Sequence, residues 1–272
     1  MSVTITAADI NKLRQTTGAG MLDCRKALTE SNGDFEAAID WLRKQGQKVA
    51  AKRSDREAKE GVVIAQTTAD HKSGIVLCIS CETDFVSKNA DFVAFAQSIA
   101  DAAIANDVKT AEELNGVTVN GAKVEELIND KLAAIGEKIA VSKFERVDAP
   151  YVASYIHGAN RMGVLVSMTK EAAEAGKDVA MQIAAMNPLA VDETSISQET
   201  KDREKAIAIE MIKAEGKPAE MAEKIADGKM NKFFKDNTLM HQAFVKDNSK
   251  SVADYLKSVD ADLKVTDFKR VA

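Results

Sequence analysis

Three histidines, three cysteines and one acidic-aromatic turn are the groups in this chain from which chemistry can be expected. Cys78 and Cys81 form a CxxC pair, the spacing of dithiol redox centres and of half a four-thiolate zinc site. The pair falls in the β-branched run GIVLCISC, where residues three apart point to opposite faces of a strand, and no second pair accompanies it. Its expected role is structural. His71, His157 and His241 are far apart, with no H-x-x-x-H, P-loop or GxGxxG beside them. No nucleophile stands with a base in a recognisable motif, so an enzyme is not expected, and nothing calls for a metal or cofactor.

The stretch Cys81 to Phe92, CETDFVSKNADF, differs in kind, because an apolar run stops there and an acid and a large aromatic ring stand side by side. Two readings are open. In one, Asp84 and Phe85 form a working tip aimed at a protein partner; in the other, Phe85 fills the core and Asp84 caps a helix. Asn89 is the natural cap of the following helix, which puts the staple position at Lys88 and leaves Phe85 unneeded there. From the residues alone the two readings stand level.

The elements that must carry this turn follow from composition and periodicity. A chain of 272 residues suits two or three compact units, and 45% hydrophobic with 29% charged residues is the balance of a folded globular protein. Aromatics are only 5%, so cores of Ala, Val, Ile, Leu and Met are expected, with helices and a minority of strand. A net charge of −5 lacks the footprint of general phosphate binding, and the one basic window, Arg43 to Lys59, reads as a solvated linker helix or as a contact with RNA or an acidic protein face. No apolar run approaches the ~18 residues of a membrane-spanning helix. The polar start MSVTITAADINK and the odd cysteine count point to the cytosol.

Residues 6 to 45 read as three short helices. Thr6 caps the first, Gly18 and Gly20 punctuate, Asn32-Gly33 closes the second, and Asp34 caps the third, whose Phe35, Ala38, Ile39 and Leu42 share a face. The segment TGAGMLDCRKALTESNGDFEAAIDWL resembles a ubiquitin-associated-type fold. Met21 and Leu22, just after a glycine turn, are expected to be exposed, and Trp41 to fill the module's own core. VVIAQTT and GIVLCIS then form a hairpin, followed by a helix through Phe92 to Ala103. A further helix with Val124, Leu127, Ile128, Leu132 and Ile135 buried and a strand in KIAVSKFERVD complete this part. The β-β-α order returns in YVASYIHG, GVLVSMT and GKDVAMQIAAM, ending at Asn187-Pro188. The copies differ where strand meets helix, CETDFVSKNADF in one and a plain KEAAEAGK loop in the other. Residues 197 to 236 read as an antiparallel coiled-coil hairpin turning at Gly216-Lys217-Pro218, with a seam of Ile209, Ile212, Met221, Ile225 and Met230. The tail returns with a short strand, a helix near Val252 to Leu256 and an edge strand in DLKVTDFKRVA. The expected class is α+β: a three-helix ubiquitin-associated-like module with basic linker (1–54), a core subdomain carrying the tip (55–147), a second core subdomain (148–196 and 237–272) and the protruding hairpin (197–236).

LRQTTGAGMLDCRKALTESNGD, CETDFVSKNADFVAFA, IGEKIAV, YIHGANRMGVLV, the GKP turn before EMAEKIADGKMNKFF, and LMHQAFVKDNSKSV occur in the order found in bacterial elongation factor Ts. The chain resembles that family over essentially its whole length. The resemblance implies a guanine-nucleotide exchange factor for the GTPase elongation factor Tu. Thr83, Asp84, Phe85 and Val86 match the family's tip, which enters the GTPase near its magnesium. Arg14, Met21 and Leu22 match a contact with the nucleotide domain, and Ile135, Gly136, His157 and Gly158 match further partner contacts. The hairpin matches an element that pairs copies into a homodimer in some members and touches the partner in others; no membrane and no direct nucleic-acid role is implied. Longer members continue past Phe268-Lys269-Arg270-Val271-Ala272 with a segment that helps dock the partner, and its contacts are not carried over. Two rival classes remain: an adaptor whose module and coiled coil only scaffold other proteins, and an RNA-binding protein using Arg43 to Lys59. Neither explains a distinctive tip set into one copy of a repeat.

Overall fold

The structure, a computed structural model, describes residues 4–53, 55–215 and 219–272. Its N-terminal part packs α1 (Ala7–Thr17), α2 (Met21–Glu30) and α3 (Phe35–Arg53) around Ile10, Leu13, Cys24, Ala27, Leu28 and Ala38. Local chemistry sets their ends. Thr6 and Asp9 form a reciprocal capping box, α1 closes on Gly18 at φ 70°, and Asp34 Oδ1 accepts the Ala37 N–H at 2.9 Å to start α3. A side-chain cap of this kind contributes about 1 kcal/mol, and the left-handed turn at Gly18 is one that glycine adopts without strain. Trp41 is half-buried against this core, with Lys26 Nζ 5.7 Å from its ring centroid.

The third helix is not short. It continues for 19 residues, from Phe35 into the basic window, so that much of the window is an interface helix and not a solvated linker. What sustains it is tertiary packing. A Cβ at Gly46 would lie 3.0 Å from Ala133 Cβ and 3.3 Å from the Asn129 carbonyl oxygen, so α3 approaches its neighbouring helix as closely as backbones allow. Arg43 Nε sits 3.9 Å from Asp130 on the same neighbour.

The next elements are β1 (Glu60–Thr67), β2 (Ser73–Cys81), α4 (Asp84–Ser87), α5 (Ala90–Ala105), α6 (Ala111–Gly116), β3 (Thr118–Val119), β4 (Ala122–Lys123), α7 (Val124–Ile135) and β5 (Ala140–Asp148). Then come β6 (Tyr151–His157), β7 (Met162–Met168), α8 (Ala173–Met186), α9 (Gln198–Ala214), α10 (Ala219–Asn237), β8 (Ala243–Phe244), β9 (Asp247–Ser251), α11 (Val252–Val259) and β10 (Val265–Val271). Six of the strands form two antiparallel three-stranded sheets, ordered β1-β2-β5 and β10-β7-β6, while β3 pairs with β4 and β8 with β9. The repeat is therefore longer than β-β-α. Each copy ends on a third strand that lies against the second strand of its own hairpin, making that second strand central. Two local expectations change: α8 begins at Ala173, so KEAAEAGK is only partly loop, and the tip of the first copy contains the one-turn helix α4.

Alternation of side chains along the strands stacks the layers. On the first sheet Val62, Ile64, Ile75, Leu77 and Ile79 share a core with α5 and α7, while Val63, Ala65 and Val76 point the other way and meet Val152, Leu165 and Val271 of the second sheet. On the second sheet Ala153, Val164, Val166 and Met168 pack under α8. The sheets thus lie face to face between two outer layers of helix. Gly163 makes the approach possible: a Cβ there would lie 2.8 Å from both Val63 Cγ1 and Val76 Cγ2.

Buried polar side chains pin the C-terminal elements to α8. Asp178 accepts from Lys246 Nζ and, at 2.9 Å, from the Tyr255 hydroxyl. Gln182 Nε2 donates to Gln242 Oε1 and the Ala243 carbonyl, and its Oε1 accepts the Val245 N–H at 2.7 Å. Between α8 and this region, α9 and α10 pack along Ala208, Ile212, Ala222 and Ala226, with Ile209 and Ile225 beside them. Three alanines in the seam let the helices come close beside the buried Ile212, and Met221 points to solvent instead of into it. The expected turn at Gly216-Lys217-Pro218 lies outside the described residues. Among those described, no helix is long and apolar enough to cross a membrane.

Candidate functional site

Strand β2 delivers the chain to the tip. Its last residue, Cys81, is buried in the helix-side core, while Cys78 turns to the sheet-sheet layer, so the two thiols lie on opposite faces. Burial, and then the carboxylates of Glu137 and Glu60, push the Cys81 thiol up to about 12. Neither thiol is in a position to serve as half of a redox pair.

Beyond Cys81 the backbone makes the single turn of α4, with Lys88 N–H bonded to the Asp84 carbonyl at 3.0 Å and Asn89 N–H to that of Val86 at 3.0 Å. Asn89 then starts α5, its Oδ1 accepting from Asp91 and Phe92 N–H at 2.8 and 3.3 Å. The turn divides the four tip residues into two kinds. Val86 is half-buried against the first core, and Ser87 beside it is buried. Thr83 is held through both its N–H and its hydroxyl by Glu137. Asp84 and Phe85 are what the turn presents. Phe85 is 86% exposed, so it fills no core, and Asp84 is the first residue of α4 and not its cap, a position taken by Thr83. Lys88 Nζ lies 2.6 Å from Asp84 and holds its carboxyl below the usual range, with Arg161 adding to the effect.

Two acids absent from the sequence reading form the base of the tip. Glu82 takes Arg53 at 3.1 Å, Arg56 at 3.0 Å and the Lys138 N–H at 2.6 Å. The Lys138 N–H and the two guanidinium groups hold its carboxyl low. Glu137 takes the N–H groups of Glu82 and Thr83 at 3.0 and 3.1 Å and the Thr83 hydroxyl at 2.7 Å. Glu137 follows Gly136, which ends α7 in the left-handed region at φ 80° with its N–H on the Leu132 carbonyl at 2.7 Å. Ile135, expected in the core of α7, is 37% exposed and instead joins Phe85 in lining a groove of about 770 Å³. Thr16, Gly18, Leu127 and Asn120 line the same groove, so it runs from the tip to the α1–α2 turn.

His157 ends β6 and Gly158 begins the β6–β7 turn; His157 is exposed and its Nδ1 is 3.0 Å from the Tyr155 hydroxyl. Asn160 fastens this turn to β1, accepting the Val63 N–H at 2.7 Å and donating Nδ2–H to the Val63 carbonyl at 3.0 Å. Arg161 reaches Glu60, the residue paired with Cys81, at 3.8 Å. The turn therefore stands at the tip end of the molecule. Met21 and Leu22 occupy the first turn of α2, 50% and 80% exposed, and Arg14 is exposed on α1; none of the three lines the groove.

A family model described as elongation factor TS matches residues 82–272. The chain is 51% identical over 271 residues to elongation factor Ts of Christiangramia forsetii, covering 98% of each. It is 49% identical over 272 residues to that of Flavobacterium psychrophilum, covering 99% of this chain and 98% of the relative. With elongation factor Ts of Clostridium perfringens it shares 43% identity over 278 residues, covering 98% and 92%.

Proposed function

The chain belongs to the elongation factor Ts family, and from that premise we propose that it binds elongation factor Tu in its GDP form and loosens the nucleotide with Asp84 and Phe85. It is a nucleotide exchange factor of translation elongation, acting on a GTPase and catalysing no covalent step of its own. One observation carries the finer reading: a large aromatic ring stands 86% exposed on a one-turn helix whose flanking residues are anchored. A ring left in water has no stabilising role in the free protein, whereas burying it against a partner is favourable by about 25 cal/mol per Å².

Magnesium bridges nucleotide phosphates to a GTPase only in near-ideal octahedral geometry at short distances. Phe85 is the wedge that moves the partner's ligands by a fraction of that geometry, and Asp84 is the charge that disturbs the water and hydrogen bonds around the ion. Exchange then follows from linkage. The factor prefers the nucleotide-free partner, and GDP or GTP weakens its hold by the same factor. Ile135, Gly136, His157 and Gly158 supply contacts around the tip, and Thr83 and Val86 support it. Arg14, Met21 and Leu22 on the N-terminal helices, a ubiquitin-associated-like module within residues 1–54, form a second docking face. In this reading residues 55–147 are the tip-bearing subdomain, 148–196 with 237–272 the second, and 197–236 a coiled-coil hairpin free to pair two copies or touch the partner. The protein works in the cytosol, with no direct nucleic-acid role.

The test is release of fluorescent GDP from elongation factor Tu. The intact chain accelerates release and forms a binary complex that excess GDP dissolves; no acceleration refutes the exchange reading. Asp84→Ala with Phe85→Ala together abolishes most of the acceleration, and an unchanged rate refutes the wedge alone.

A further inference from the structure

We propose that Glu137 is the positioning residue of the tip, orienting Asp84 and Phe85 through Thr83; this rests on the tip reading above and names the group that makes it work. A four-residue helix is too short to persist by itself, because nucleating one turn fixes more backbone than its hydrogen bonds repay. Phe85, almost wholly in water, contributes no packing that would fix its direction. The direction must come from the ends of the turn. At the far end Val86 and Ser87 pack inward. At the near end Thr83 is in the N-cap position with extended backbone, yet its side chain makes no cap bond. Its hydroxyl instead donates to Glu137 Oε1 at 2.7 Å, while Glu137 Oε2 gathers the N–H groups of Glu82 and Thr83. The stabilisation a threonine cap ordinarily gives a helix start is thus forgone in favour of a tether to another element.

The tether is reciprocal. Glu137 binds the backbone of Glu82 while Glu82 binds the backbone of Lys138, so two chain segments exchange carboxylates across the join between β2 and the α7–β5 connection. Such a cross-brace resists rotation about a single bond in a way that one hydrogen bond does not. It also sets Phe85 in register with Ile135, two residues before Glu137, on the wall of the shared groove.

The experiment compares Glu137→Ala and Glu137→Gln in two readouts on the full-length chain. In the GDP-release assay at saturating factor, Glu137→Ala slows release about tenfold or more, since misplacing a working group by about 1 Å costs up to roughly a hundredfold. Glu137→Gln keeps the fast rate, because its amide oxygen accepts both N–H groups and its NH₂ donates to the Thr83 hydroxyl, which can rotate to accept. In a background carrying both Asp84→Ala and Phe85→Ala, Glu137→Ala adds no further loss, as expected of residues acting as one unit. The second readout needs no partner: amide hydrogen exchange at Glu82 and Thr83 accelerates in Glu137→Ala and stays slow in Glu137→Gln. Should Glu137→Ala disturb the whole fold, Thr83→Val removes only the hydroxyl end of the brace and slows release in the same direction. The proposal is overturned if Glu137→Ala exchanges GDP and protons like the wild type, if its loss multiplies with that of the Asp84→Ala, Phe85→Ala pair, or if Glu137→Gln is as slow as Glu137→Ala. If Asp84→Ala and Phe85→Ala together leave release fast, the wedge reading fails, and proton exchange at Glu82 and Thr83 still decides the brace.

Discussion

Gly163→Ala is the sharpest test of the way the two sheets meet. The added methyl would lie 2.8 Å from Val63 Cγ1 and Val76 Cγ2 and 3.1 Å from Ala65 Cβ, whereas carbon atoms sit comfortably about 3.5–4.0 Å apart. The valines are β-branched and stiff at χ1, and Ala65 has no rotamer to change, so none of the three can swing aside. Relief requires the sheets to part by roughly 0.7 Å, a gap that forfeits about a quarter to a half of the dispersion between facing atoms. Overpacking of this kind costs about 1–3 kcal/mol. Against it stands the smaller conformational freedom of the unfolded alanine chain, about 0.4–1 kcal/mol. The net expectation is a loss of about 1.3 kcal/mol, or a melting temperature lower by about 3–5 °C. Urea titration followed by circular dichroism should show an earlier midpoint at unchanged slope. Gly116→Ala, where a Cβ meets nothing within 4 Å, is the control and should stay within about 0.5 kcal/mol of the wild type. If Gly163→Ala unfolds at the wild-type midpoint, the sheets do not touch at Val63 and Val76.

Gly228→Ala in α10, also open on all sides, should stabilise the helix by about 0.5–1 kcal/mol, seen as a higher thermal midpoint. The Cys81 thiol, raised from 9.0 to about 12, should resist alkylation in the native protein at pH 8 and react once denaturant is added. Because the folded value is the higher one, the stabilisation from its burial is whole below pH 9.0 and fades as pH rises toward 12, which alkaline unfolding would record. Asp178→Ala should cost about 1–3 kcal/mol, since it strips a carboxylate acceptor from the Tyr255 hydroxyl. It should also lower the pH at which Tyr255 ionises, because burial and then Asp178 hold that phenol above its ordinary 10.0; ultraviolet titration measures both states.

Local signals were legible and distant pairings were not. The caps at Thr6, Asp34 and Asn89 and the stop at Asn187 before Pro188 are written in side chains that act on their own neighbours, and each stands where its chemistry puts it. Exposure of Met21 and Leu22 followed from a glycine turn in the same way. The length of α3 was hidden because what extends it is α7, far along the chain, and a run of Arg and Lys looks solvated until its glycine is seen against Ala133. Glu82 and Glu137 were hidden for a related reason: a lone glutamate at a strand or helix end is ordinary, and only the fold brings together residues 55 apart. Phe85 was undecided between core and surface until the turn of α4 showed which way it points.

The long third helix has a consequence for association. Phe35 at its start belongs to the N-terminal core and Arg53 at its end grips Glu82 beside the tip, and 19 residues of α-helix span about 28 Å. In the proposed reading the N-terminal face and the tip are two heads of a bivalent ligand held on one frame, with α3 running between the module and the tip and the α1–α2 turn sharing a groove with Phe85. A partner that engages one head meets the other at an effective concentration set by fixed geometry and not by a wandering linker, provided its own two sites match the fixed separation of the heads. Little freedom is left to lose when the second head engages, so affinity depends on the match of lengths as much as on the contacts at either end.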